Sequence, residues 1–322
     1  MPFWLVFPPA RDGSSTTIFR SPKSPSALHP VNKLTLQACL GSALLIALSN
    51  APTVSAAETA PVAGHTPAKA APTSYEHTAP TNPALPPPDA DIWRQTWHDT
   101  NRPMPPVSTP LPEEELEGRS KAPSNAVILF DGKDLSAWQP SRWIVKDGYV
   151  EVAPSTGDLL TKQPFGSMKL HLEWWTPEPK PGQDGQKRNN SGVLFMDPKD
   201  GFEIQVLDSY NNPKTYADGI AGAVYGQYPP ASNPSRPPGH WQYYDITFHR
   251  PKFDAQGRLT RAATVTVDFN GVRVQDNTVI IGSTHGGARR AYKVQPDDQP
   301  LGLQDHHDPV RYRNIWAVPI KD

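Results

Sequence analysis

The 322-residue chain holds one cysteine, Cys39. Disulfide staples, a cysteine nucleophile and a Cys-ligated metal centre are therefore excluded from everything that follows it. A dominant charge of one sign is also missing: Lys plus Arg number 31, Asp plus Glu 32, and the formal net charge is -1. With no long run of Lys or Arg, neither a nucleic-acid partner nor an anionic membrane surface is indicated. No internal repeat is evident, no helix of ordinary length is read beyond residue 125, and no tight ligand motif such as HExxH occurs. The folded part must be held by its apolar core.

Proline is plentiful instead, at 39 residues, and unevenly spread. Lys33 precedes "LTLQACLGSALLIALSNAPTVSA". A basic start, an apolar middle and the small-residue end Val54-Ser55-Ala56 give the pattern of a secretory signal peptide, too short and interrupted for a comfortable bilayer span. Residues 1–56 are thus expected to be an N-terminal extension and signal, with Val31 as the candidate true start. The protein is expected to be secreted or periplasmic, with no membrane attachment after cleavage. Residues 57–125, rich in Pro, Ala and Thr, read as an extended, disordered linker. Within it "DIWRQTWHDT" is an exception, since Trp93 and Trp97 stand four apart and one helical turn could dock both.

Residues 126–322 change texture. "AVILF", "WIVKDGYVEVA", "MKLHLEWW", "SGVLFM", "FEIQVL", "WQYYDITFH" and "ATVTVDF" are short strands between turn signals. Asp147-Gly148 and Asn270-Gly271 suit type I′ hairpins. Such a pattern predicts one all-β domain, a sandwich or jelly roll.

Alternation then separates core positions from polar ones. In 168–175, Met168, Leu170, Leu172 and Trp174 share one face, and Lys169, His171, Glu173 and Trp175 the other. In 202–207, Phe202, Ile204 and Val206 turn inward while Glu203 and Gln205 turn outward, with Asp208 after them. Arg188, Asn189 and Asn190 precede a strand; Gln304, Asp305, His306, His307 and Arg313 lie near the C-terminus. Each also has a structural reading: Glu203 as a salt-bridged strand residue, Arg313 as an ion-pair partner, His171 and His307 as surface residues. Together, acids, amides, Arg and Trp on a concave β face are the groups that bind sugars through hydrogen bonds and ring stacking. A carbohydrate is therefore the expected partner. The spacing Glu203-x-Gln205-x-x-Asp208 is similar to the Glu-x-Asp-x-x-Glu pattern of β-sandwich glucanases. It departs from a retaining carboxylate pair by its central amide.

Eight ordered blocks carry a wider resemblance: "ILFDGKDLSAW", "GDLLTKQPFGSMKLHLEW", "NNSGVLF", "FEIQVLDS", "TYADGIAGAVYGQYPP", "PGHWQYYDITF", "NGVRVQD" and "LQDHHDPVRYRNIW". Over roughly residues 126–320 the chain resembles the DUF1080 family, the 3-keto-disaccharide hydrolase domain. The resemblance implies a concanavalin A-like jelly-roll sandwich and cleavage of glycosides oxidised at C3. His307 stands where the family often has glycine, and Trp175 where a basic residue is common.

A C3 ketone acidifies the C2 hydrogen, so a base can remove it, the C1 substituent can leave, and water can add back. On this reading Glu203 is the base, and Arg188 and Gln205 orient the sugar and polarise the ketone. His306 is the acid-base partner, and Asp208 supplies the acid or sets the His306 tautomer. Asn190, Trp175, Gln304 and Arg313 complete the binding surface. No cofactor is required, although Glu203, Asp208 and His306 could together hold a divalent metal. The alternatives are a lectin-like carbohydrate-binding module on the same sandwich and an adhesion or assembly domain.

Overall fold

Two hairpin turns set the local geometry. Asp147 and Gly148 take positive φ of 48° and 81°, and Asn270 and Gly271 take 48° and 77°. Consecutive left-handed residues are what a two-residue type I′ turn needs, and its twist matches that of the strands it joins. The structure, a computed structural model, describes residues 98, 102–197, 200–284 and 290–321. The signal segment, Cys39, Trp93, Trp97 and most of the Pro-rich stretch lie outside the described residues.

The described strands are β1 (Val127–Phe130), β2 (Ile144–Lys146), β3 (Tyr149–Glu151), β4 (Leu159–Phe165), β5 (Met168–Trp175), β6 (Ser191–Phe195) and β7 (Phe202–Val206). They continue with β8 (Trp241–His249), β9 (Lys252–Phe253), β10 (Leu259–Arg261), β11 (Thr264–Phe269), β12 (Val272–Val279), β13 (Gln299–Leu303) and β14 (Arg311–Pro319). One sheet runs β12-β11-β8-β5-β14-β3-β2, with β1 also on β14; a smaller one runs β4-β13-β6-β7, and β9-β10 form a separate ribbon. The result is the antiparallel concanavalin A-like jelly-roll sandwich expected from the sequence.

Between the sheets lies one core. Met168, Leu170, Leu172 and Trp174 of the larger sheet share it with Val193, Phe195, Phe202, Ile204, Val206, Leu301 and Leu303 of the smaller. Phe195 stacks on Phe248 across the layers with ring centroids 4.6 Å apart. Burying each such side chain contributes roughly 1.5–3 kcal/mol. Because each sheet turns one face inward, the remaining positions fall on two outer faces that point away from each other.

The larger sheet's outer face is covered by chain that composition assigned to a disordered linker. From residue 102 that expectation is corrected. Val107 bridges Asn233, and the Leu111 amide donates to the Asn270 carbonyl at 3.0 Å. Helix α1 (Glu113–Arg119) follows and buries Leu116. The Ser120 carbonyl closes the strap by accepting from Asn314 Nδ2 at 3.1 Å and Trp316 Nε1 at 3.0 Å. A few well-placed anchors outweigh an unfavourable average composition. Beneath the strap His171, expected at the surface, is 1% exposed. Its Nδ1 lies 2.8 Å from Asp245 Oδ1 and its ring stacks on Trp316.

Candidate functional site

The outer face of the smaller sheet has a different character, set by strand β7 at its edge. On one side β7 pairs with β6, placing Leu194 opposite Glu203 and Gly192 opposite Gln205. On the other side, loop backbone closes the edge: Tyr225 N donates to the Glu203 carbonyl at 3.1 Å and Gln205 N to the Ala223 carbonyl at 3.0 Å. Ile204 and Val224 form an antiparallel bridge, so Tyr225 stands directly across from Glu203 on the same face.

Two glycines keep this face hollow. Gly302 pairs with Leu194, and Gly192 lies under the Glu203 side chain, where an added Cβ would stand 2.9 Å from Glu203 Cδ. The Gln304 amide donates to the Gly192 carbonyl at 3.0 Å, and Gln304 Oε1 is buried with no hydrogen-bond partner. That acceptor is suited to a ligand donor such as a sugar hydroxyl.

Glu203 is buried. No ion pair or side-chain hydrogen bond holds its carboxyl among the described residues. Burial, with a smaller push from the negative Asp158, raises its pKa to about 8. Asp158 precedes β4, and one of its oxygens accepts the Asp305 amide at 2.8 Å. Tyr216 and Tyr225 approach each other with hydroxyl oxygens 3.4 Å apart. Burial raises the pKa of both, and the Glu203 charge adds to each shift. Both phenols remain protonated beside the carboxyl at neutral pH.

Beside this centre lies an amide network. Gln205 Nε2 donates to Gln186 Oε1 at 3.1 Å and to the Gly219 carbonyl at 3.3 Å, while its Oε1 accepts Val206 N at 3.0 Å. Asn190 Nδ2 donates to the Gln186 carbonyl at 3.0 Å, and Asn190 N to Asp308 Oδ2 at 2.8 Å. Gln205 and Asn190 thus meet through Gln186, a residue the sequence reading did not single out.

Other expected members are placed differently. Asp208 does not reach His306; it pairs with Arg188, whose Nε and Nη2 donate to Asp208 Oδ2 at 3.0 and 2.5 Å. Burial raises the Asp208 pKa, and Arg188 opposes the rise. Arg188 and Asp208 therefore neutralise each other at the end of the β6–β7 ladder, and neither is spare for a ketone or a tautomer. His306 is exposed; its charge is felt at Asp308. No group of three or more metal-ligating side chains forms among the described residues, so Glu203, Asp208 and His306 do not assemble as a ligand set.

Trp175 and Arg313 lie on the opposite side of the sandwich, on the larger sheet's outer face. Arg311 sits over the Trp175 ring at 4.1 Å and over Tyr149 at 4.6 Å. Arg313 Nε pairs with Glu173 Oε2 at 2.5 Å, and its guanidinium lies 4.1 Å over Trp241. The expectation that both share a surface with Glu203 is corrected: each packs against residues of its own sheet. The residues missed were Asp158, Gln186, Gly192, Tyr216 and Tyr225. For Tyr216 and Tyr225 the available signal was the block "TYADGIAGAVYG", two tyrosines among glycines too crowded for an ordinary loop.

A search of curated proteins finds no match. Among solved structures, a Parabacteroides distasonis protein with the provisional description glycosyl hydrolase is 39% identical with a TM-score of 0.59; the match covers 68% of this chain and 93% of that one. A second protein of that organism with the same description is 20% identical, with a TM-score of 0.44 over 66% of this chain and 98% of its own. The carbohydrate-binding module CBM66 from Bacillus subtilis is 10% identical, with a TM-score of 0.33 over 56% and 93%. The last two are too distant to bear on what the site does. The family model of the 3-keto-α-glucoside-1,2-lyase-like domain matches residues 125–318. More than half of the chain, including every strand from β1 to β13 and nearly all of β14, falls within that match, and the chain belongs to the 3-keto-α-glucoside-1,2-lyase-like domain family.

Proposed function

We propose that the protein is a carbohydrate-active enzyme that cleaves 3-keto-glycosides by elimination and hydration, with Glu203 as the base. The observation that carries this reading is the buried Glu203 carboxyl, which lies over Gly192 with its pKa raised to about 8. A carboxyl satisfied by an ion pair is a weak base. One lifted toward neutrality takes a proton from carbon more readily, because its conjugate acid is weaker.

In the first step Glu203 removes the C2 proton. The C–H electrons form the C1=C2 bond, and the C1–O bond breaks, the aglycone oxygen taking up one proton as it leaves. In the second, water adds its hydroxyl to C1 and gives up one proton, which replaces the one the aglycone took, and Glu203 returns its proton to C2. On this reading the protonated phenols of Tyr216 and Tyr225 donate to oxygens of the ring, and Gln304 Oε1 accepts from a sugar hydroxyl. For a substrate whose aglycone departs without an acid, turnover is expected to rise with pH toward about 8, as Glu203 ionises.

The test is turnover of a 3-keto-glucoside by wild type and Glu203→Gln, read as enone absorbance and aglycone release. The variant should lose roughly 10²–10⁴-fold in rate while keeping its fold. Binding without turnover by wild type would instead identify a lectin-like module, and unchanged turnover by the variant would reject Glu203 as base. We also infer export from the cytoplasm, on the strength of the basic and apolar segment before Ala56. Sequencing the N-terminus of the native protein checks this.

A further inference from the structure

Elimination at C1 needs an acid for the departing oxygen, and that acid must stand near the base that attacks the neighbouring carbon. His306, exposed beside Asp308, is poorly held for this. His98 is held well, although it precedes the matched domain by many residues. Its ring stacks on Tyr216 with centroids 3.5 Å apart and 20° between planes. It meets Tyr225 edge-on at 5.2 Å. Tyr225 is the residue directly across from Glu203, so the imidazole touches the neighbour of the base.

The orientation of His98 is also fixed. Its Nδ1 lies 2.8 Å from Asp218 Oδ1, and Asp218 is 2% exposed. Arg102 Nη1 reaches the other Asp218 oxygen at 3.5 Å and the Gln227 carbonyl at 3.1 Å. Two residues of the segment before the sandwich therefore converge on one buried carboxylate in the tyrosine loop. A carboxylate at Nδ1 fixes the tautomer and directs proton exchange to Nε2.

We propose that His98, oriented by Asp218, protonates the leaving oxygen as the C1–O bond breaks. This rests on the elimination reading above. The protonated imidazole gives its Nε2 proton to the aglycone oxygen and becomes neutral. In the hydration step it takes a proton from the attacking water as the hydroxyl joins C1, and Glu203 returns its proton to C2. The atoms then balance as hydrolysis, and both groups are restored. Asp218 acts through His98 and is a positioning residue.

An acid for a leaving group matters most when that group is a poor one. Two 3-keto-glucosides separate the roles: one releasing nitrophenol, which departs as its anion, and one releasing a simple alkyl alcohol, which does not. In the full chain, His98→Asn preserves a donor toward Asp218. It should lose ~10²–10⁴-fold in kcat/KM on the alkyl substrate and less than ~10-fold on the nitrophenyl one. Asp218→Asn should show the same skew at smaller size, with melting curves checking that each variant is folded. Equal loss on both substrates with an active wild type, or the skew appearing in His306→Asn and not in His98→Asn, overturns the assignment while leaving Glu203 in place. Failure of wild type on both substrates removes both readings.

Discussion

Gly192→Ala tests the position of Glu203 without altering its chemistry. Gly192 is not among the positive-φ residues, so alanine meets no backbone strain there. What it meets is Glu203: the new methyl would stand 2.9 Å from Cδ and 3.0 Å from Cγ. Carbons rest ~3.5–4.0 Å apart, so the carboxyl must retreat by roughly 0.6–1.1 Å. It cannot retreat freely, because Tyr225 flanks it across the strand. A displacement near 1 Å at a reacting group costs ~10²-fold in rate, and the added volume should cost ~1–3 kcal/mol of stability. The assay is kcat/KM on a 3-keto-glucoside, beside a denaturant melt. The loss should appear in kcat, and Glu203→Asp added to Gly192→Ala should recover part of the stability but not the rate, since the shorter side chain relieves the clash while withdrawing the carboxyl. A folded Gly192→Ala with full turnover would refute the reasoning, because the base would then not depend on its place over the glycine.

The Glu203 carboxyl titrates near 8 in the folded chain against an ordinary 4.5. The native state therefore holds an extra proton between those values, and stability from this group is present below about pH 4.5 and is lost as pH rises through about 8. Glu203→Gln should flatten that part of the stability–pH curve, and curves that run parallel to wild type would contradict it. Arg188→Ala strands the Asp208 carboxylate and should destabilise by ~3–5 kcal/mol in a denaturant melt; removing the Asp208 charge as well should restore part of the loss. Arg313→Ala and Trp175→Ala should leave turnover within a few-fold of wild type, because both side chains lie on the far side of the sandwich; only Arg313→Ala, which strands the buried Glu173, should lower the melting point markedly. Gln304→Ala should raise KM without destabilising the fold, since the acceptor it removes has no internal partner.

What alternation in a strand reveals is inside against outside. It identified Leu172 and Ile204 as core, and Glu173 and Glu203 as outward. It carries no mark of which outside, because that depends on sheet membership, and β5 and β7 belong to different sheets. Trp175 and Arg313 were grouped with Glu203 for that reason. Arg313 was readable as an ion-pair partner from its chemistry, but its partner Glu173 comes from a strand distant in sequence. Asp208 and Arg188, 20 residues apart, meet just beyond the end of the β6–β7 ladder, a contact that spacing alone does not reveal. The Pro-rich segment was misjudged from 102 onward because composition averages over anchors such as Leu111 and Leu116. The tyrosine pair escaped notice because its loop has no period to read.

The stretch that carries Tyr216 and Tyr225 also caps the open side of β7. An uncapped edge strand is a template for pairing with other chains. On the proposed reading, recognition and protection of that edge are therefore written in the same dozen residues. Changes there that retune which sugar is accepted also risk unmasking a sticky margin, and new specificities should arise more readily in the surrounding loops, where no such double duty constrains the sequence.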